Sequence, residues 1–236
     1  MTPGRVRLTP AGWAAVAASV LLVSVGLAVV VARLTDGPPC TVRVAGHVVE
    51  LDREEAEYAA VEGTAAGKRL GLSEEDAAVV DEALAGRASA ALVCRYGGSS
   101  VAEADRLDDR GLTARAARVR TAVRDRFDDP PLGGFAPGGV TSGHMPGSAH
   151  YEGRAIDAFF RPVNTANKTR GWALAHYLVA HADRLAVDTV IFDGRIWTAR
   201  RADQGWRAYA VDPDGRPRDV VRVLEHRDHV HVDVAD

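Results

Sequence analysis

Histidines and acids gather at two places in this chain. In SGHMPGSAHYEGRAIDAFF, residues 142–160, His150 precedes Asp157 by seven positions, and Asp157 sits inside an otherwise apolar, strand-like run. A carboxylate buried there is costly unless a cation meets it. About seventy residues later the segment EHRDHVHVD holds three histidines and three acids. Neutral imidazoles and carboxylates are zinc ligands, and three protein ligands plus a water is the arrangement of a catalytic zinc site. We therefore expect the two clusters to close on one metal ion.

Position along the chain decides which groups can take part. On a continuous strand His150 and Asp157 would face opposite ways. If the strand begins only after Gly153, a loop-borne His150 can turn towards Asp157. His229 and His231 are two apart, so on a strand they share one face and one or both can enter the same pocket. Hydrolysis also needs a base beside the attacking water. Asp228 is the first choice, provided the last strand starts just after it. His229 is the second, as base or as donor to a developing oxyanion.

At these residues the chain resembles a known family. SAHYEGRAID fits Ser-x-His-x-x-Gly-x-Ala-x-Asp, the signature of zinc D-Ala-D-Ala carboxypeptidases and dipeptidases. DHVH resembles their acid-x-x-His element and the His-x-His of the wider lysostaphin and Hedgehog-like metallopeptidase group. The resemblance covers about the last 120 residues. It implies His150, Asp157 and His231 as Zn2+ ligands, Asp228 as base, Ser148 as a supporting polar residue, and peptidoglycan stem peptides as substrate. The chain is more similar still to exported domains of unassigned activity that share both segments.

The chain departs from the family pattern in one respect. The family carries an arginine upstream of its Ser-x-His, and here the loop GGFAPGG has Phe135-Ala136, with no arginine between Phe127 and Ser148. Arg124, Arg126, Arg154 and Arg161 are the candidates to replace it. The loss at Ala136 also defines an alternative function, a metal-stabilised domain that binds cell-wall peptide or a partner without turnover.

The rest of the chain must deliver and position this site. From Ala11 to Ala32 no charged residue occurs, which is about the length of a membrane-crossing helix. Arg5 and Arg7 precede it, which favours a cytoplasmic N-terminus and an extracytoplasmic remainder. A cleaved signal peptide is the rival reading, against which stands an apolar region longer than the usual 7 to 15 residues or so. The expected organisation is a tail (1–10), a transmembrane signal anchor (11–33), a membrane-proximal module (34–95), a linker (96–111) and a metallopeptidase-like domain (112–236). Cys40 and Cys94 are the only cysteines. In an oxidising compartment an even count reads as one disulfide closing the small module.

Lys and Arg (29) nearly balance Asp and Glu (32), and the basic residues form no stripe, so nucleic acid is excluded as a partner. TVRVAGHVVEL predicts a hairpin around Ala45-Gly46. Asp52 and Ser73 are positioned to cap two helices, the first of which Gly71 would end. Thr113 opens a third helix with Leu112, Ala116, Val119, Val123 and Phe127 on its packed side. Strands are predicted over 154–160, 187–193, 195–197, 207–211 and 230–234, with a helix around 172–185 and a helical turn at 220–224. Strands and helices that do not alternate regularly indicate an α+β fold with a mostly antiparallel sheet and flanking helices. His47, His176 and His181 read as structural, His144 as a loop residue and His226 as a group outside the ligand set.

Overall fold

The computed structural model describes residues 39–98 and 106–236. Two antiparallel sheets are built from the predicted strands and from two short strands, Leu92–Cys94 and Leu132–Gly133, that the sequence pattern does not mark. In the first, β1 (Cys40–Val44) lies between β2 (His47–Leu51) and β3 (Leu92–Cys94). Ala45 and Gly46 both take positive φ, 49° and 89°, as a two-residue hairpin turn requires. Cys40 faces Cys94 across the β1–β3 pair and the two are joined as a disulfide. Asp52 forms a reciprocal capping box with Glu55 on the helix Arg53–Glu62, and Ser73 caps Glu74–Leu84. The first helix stops at Gly63 rather than Gly71, because Gly63 turns to φ +64°. A short helix Ala66–Arg69 follows, whose Gly67 lies so close to Ala77 that a side chain would not fit.

The second sheet carries the site. Its order is β4 (Leu132–Gly133), β5 (Ala155–Phe159), β9 (His229–Val234), β6 (Val187–Phe192), β7 (Arg195–Thr198), β8 (Arg207–Ala208), with every neighbouring pair antiparallel. The chain's last strand is thus central, between β5 and β6. Asp193 and Gly194, at φ 46° and 73°, make the β6–β7 turn. Side chains alternate across a strand, so Val230, Val232 and Val234 form one face of β9 while His229, His231 and Asp233 form the other. The valines are buried in the core with Ile156, Ala158 and Leu174. The helix Thr165–Ala180 covers β6 and β9, and Gly171 allows it to press onto the Phe192 ring. It starts at its Asn164 cap, a full two turns ahead of the predicted residue 172, because polar residues fill its exposed first turns.

Residues Pro39–Asp236 form one compact unit whose two sheets share one core. His176, on the covering helix, joins them. Its Nδ1–H donates to the Ala83 carbonyl at 2.9 Å and its Nε2 accepts from the Ala91 N–H at 3.1 Å. Trp206 Nε1–H donates to the Leu92 carbonyl at 2.8 Å. Trp172 and Trp197 are core residues. His47 lies on the face of β2, where Asp76 meets it at 2.8 Å.

The expected single-pass membrane placement is corrected by this fold. The tail (1–10) and candidate anchor (11–33) lie outside the described residues, and among the described residues no helix is long and apolar enough to cross a membrane. Thr165–Ala180, with 16 residues, would span only about 24 Å of the roughly 30 Å required, and Lys168 and Arg170 lie within it.

Burial pushes His176 down to about 4 from its ordinary 6.5, partly offset by its hydrogen bond to Ala83. The unfolded chain therefore binds one more proton than the folded chain between those values. This contribution is complete above pH 6.5 and is lost as the pH falls towards 4, a change of roughly 3 kcal/mol. His176→Phe should flatten that part of the pH dependence in urea melts, and should lower stability at neutral pH by about 1–3 kcal/mol through stranding the Ala83 and Ala91 groups. An unchanged slope would remove His176 from the account. The disulfide spans 54 positions, so replacing both cysteines with alanine should cost roughly 4 kcal/mol by chain entropy, read as a lower unfolding midpoint.

Candidate metal centre

Asp157 and His231 are directly opposite one another on β5 and β9, so their side chains leave the sheet on the same face. That face points away from the covering helix. His150 reaches it from a single 3₁₀ turn, Ala149–Glu152, whose N-terminus Ser148 caps by accepting the His150 N–H at 3.4 Å. The turn ends at Gly153, φ +69°, and β5 begins two residues later. The loop thus frees His150 from strand parity. The final strand begins at His229, immediately after Asp228.

Three donor atoms converge. His150 Nε2 is 3.1 Å from His231 Nδ1 and 3.3 Å from Asp157 Oδ1, and His231 Nδ1 is 3.0 Å from that oxygen. A tetrahedral ion holding nitrogen and oxygen at about 2.0–2.1 Å sets its ligands roughly 3.3 Å apart, so the donor set fits a small divalent cation. Outer partners orient both imidazoles. His150 Nδ1–H donates to the Gly134 carbonyl at 2.7 Å, which leaves Nε2 bare. His231 Nε2 meets Asp233 Oδ1 at 2.7 Å, which turns Nδ1 towards Asp157. Such second contacts fix tautomer and ring orientation in metal sites.

The charges agree with this geometry. Burial alone would lower His231, but the Asp233 and Asp157 carboxylates hold it up at about 10. Burial alone would raise Asp157, yet the neighbouring His150 and His231 imidazoles keep its carboxyl well below the ordinary range. Without a metal ion, a proton on His231 serves as the cation that Asp157 requires. An ion taking Nδ1 must displace that proton, so affinity should fall as the pH is lowered.

His144, His150 and Asp157 can also hold an ion together, each offering an atom within 4.8 Å of the others. In this arrangement the His144 ring is stacked on His150, with centroids 3.8 Å apart and planes 21° from parallel. Stacked rings direct their lone pairs side by side, so the triangle with His231 is the better converged of the two. Tyr151 holds His144 in place, its hydroxyl donating to the His144 carbonyl at 2.6 Å and accepting the His144 N–H at 3.0 Å.

A second group of residues lies beside the triangle. His229 Nε2 is 3.8 Å from Asp157 Oδ1, and its Nδ1 meets Asp228 Oδ1 at 2.8 Å. The other Asp228 oxygen accepts from Arg161 Nε at 2.6 Å, and the Arg161 guanidinium lies over the Phe159 ring. Burial raises Asp228, but His229 and Arg161 outweigh it and hold its carboxyl below the usual range. The His226 ring is 4.6 Å from His229 and 5.2 Å from His231, and burial pushes it down to about 3. Of the four arginines considered as replacements, Arg161 alone joins this group. Arg124 pairs with Asp129, Arg126 donates to the Val61 carbonyl, and Arg154 bonds Glu152 and the Val234 carbonyl.

Sequence reasoning missed Gly134 and Asp233. Asp233 was discoverable, since it lies two residues beyond His231 and so shares its strand face. Gly134 was not, because its role rests on a contact across sixteen residues: a Cβ there would fall 2.1 Å from His150 Cε1.

Residues 108–219 match the family model described as VldE, C-terminal domain. The match takes in His150 and Asp157 and ends before Asp228, His229 and His231. No curated protein and no solved structure matches.

Gly134→Ala should weaken metal binding by about tenfold or more, since it displaces His150 and strains a backbone held at φ +80°. Chelator competition measures this, with circular dichroism to check folding. Unchanged affinity in a folded variant would show that His150 does not depend on this loop.

Proposed function

We propose that the chain is a zinc-dependent peptidase of the D,D-carboxypeptidase type, hydrolysing an amide in peptidoglycan stem peptides. The observation that carries this reading is the triangle of His150, Asp157 and His231, whose mutual distances suit one ion and whose buried carboxylate needs a cation. His150 Nε2, Asp157 Oδ1 and His231 Nδ1 would hold the ion. When bound, such an ion acidifies a water and polarises a carbonyl.

The neighbouring residues divide the remaining work. His229 presents Nε2 to the site and is backed by Asp228 at Nδ1, an arrangement that orients the imidazole. His229 is therefore the better placed of the two to take the proton of the attacking water, or to donate to the oxyanion. Asp228, with both oxygens engaged, acts as its positioning residue. Arg161 anchors Asp228 and places a guanidinium beside this pair. Ser148 acts through the backbone of the His150 turn.

The alternative is a metal-binding domain without turnover, which binds cell-wall peptide or a partner protein. It draws on two observations: the engagement of both Asp228 oxygens and the use of the Phe135-Ala136 loop to hold His150 through its backbone rather than to supply an arginine.

Zinc-loaded full-length protein should release D-alanine from a peptide ending in D-Ala-D-Ala, and chelator should abolish release. His150→Ala should lose both zinc and activity. His229→Gln should keep zinc and lose activity by about 10²–10⁴-fold, with Asp228→Asn losing less. Bound zinc with no product in the wild type would favour the alternative, and a wild type that retains no zinc would overturn both.

A further inference from the structure

Beside Asp228 lies a cavity of about 760 Å³, lined by Arg161, Arg218, Arg222, Arg227, Asp219 and Asp228 among others. Four arginines and two aspartates thus share its wall. Two of the four are occupied: Arg161 by Asp228, and Arg227 by Glu225 and Asp193. Arg218 and Arg222 have no ion-pair or hydrogen-bond partner for their side chains among the described residues.

The helix that carries this free pair, Arg218–Leu224, has no buried residue. Core packing therefore does not explain it. Arg218 and Arg222 are four apart, so they share one helix face and repel each other unless an anion lies between them. Val223 lines the same cavity and is exposed, which gives the wall an apolar strip beside the charges. Arg161 connects the cavity to the metal centre. Its Nε holds Asp228, while 55% of its side chain is open to solvent.

We propose that this cavity is a carboxylate-reading subsite, which takes an anionic peptide between Arg218 and Arg222 while the amide to be cut lies beside His229. This rests on the peptidase reading for the position of the amide, and adds that the substrate must carry negative charge away from the attacked bond. Guanidinium forks suit carboxylates geometrically. In a stem peptide that carboxylate is either the terminal one or that of the γ-linked glutamate.

The test uses full-length, zinc-loaded protein and three synthetic pentapeptides of sequence Ala-γ-D-Glu-Lys-D-Ala-D-Ala: the free acid, the C-terminal amide, and the form with the glutamate α-carboxyl amidated. Calorimetry at low and moderate salt gives affinity. The free acid should bind about tenfold more tightly than one of the amides, which identifies the carboxylate that is read. Arg218→Gln with Arg222→Gln should remove that preference and reduce the salt dependence. Equal affinity for all three peptides, no measurable binding of the free acid, or a double variant that binds as the wild type does would each overturn the subsite. Zinc content and release of the C-terminal residue, as D-alanine or, from the C-terminal amide, as D-alaninamide, are read on the same samples. Charge-selective binding without release would fail the peptidase reading and leave the subsite standing. Release that is indifferent to amidation would do the reverse.

Discussion

The site depends on one buried carboxylate. Asp157 lies on a strand next to the centre of the sheet, in a setting where an unpaired negative charge is not tolerated, and among the described residues no lysine or arginine pairs with it. Three imidazoles surround it instead. Two of them, His150 and His231, are oriented from behind by Gly134 and Asp233, so each presents a chosen nitrogen. The same arrangement that neutralises Asp157 by a proton can do so by a metal ion, and competition between the two sets the expected pH behaviour.

The sheet divides the labour around that carboxylate. One face of β9 supplies valines to the core under the helix Thr165–Ala180, and the other supplies His229, His231 and Asp233. Because period-two alternation ties the faces together, the register that buries the valines also places His231 opposite Asp157. A one-residue slip would put the histidines into the core. The first sheet and its disulfide support this register indirectly, through His176 and Trp206, which fasten the covering helix and the β7–β8 region to β3 and its neighbours.

His229, Asp228 and Arg161 form a hydrogen-bonded line that begins 3.8 Å from Asp157 and reaches the arginine-lined cavity. Hydrolysis and recognition would then share one element, Asp228, which orients an imidazole on one side and lines the cavity on the other. The Phe135-Ala136 loop carries no arginine and is packed through its backbone. Gly134 must lie flat against His150, and Gly111 lies equally close to the Ala136 carbonyl, which leaves that segment held by its backbone.

Sequence alone determined the features that depend on local periodicity and chemistry. The Ala45-Gly46 hairpin, the Asp52, Ser73 and Thr113 caps, the two strands bearing Asp157 and His231, and the cysteine pairing were all legible, since each follows from residue type at short spacing or from an even count. So was the convergence of two distant His/Asp clusters, because a buried aspartate demands a cation. The helix end at Gly63, the early start at Asn164, the shared core of the two sheets, and the direction of the Arg161 side chain were not legible. Each is decided by contacts between residues far apart in the chain. Only the tertiary structure could decide that His229 faces Asp157 while Asp228 turns to Arg161. Adjacent residues on a strand point to opposite faces unless the strand begins between them, and where it begins is set by pairing with β5 and not by the segment itself.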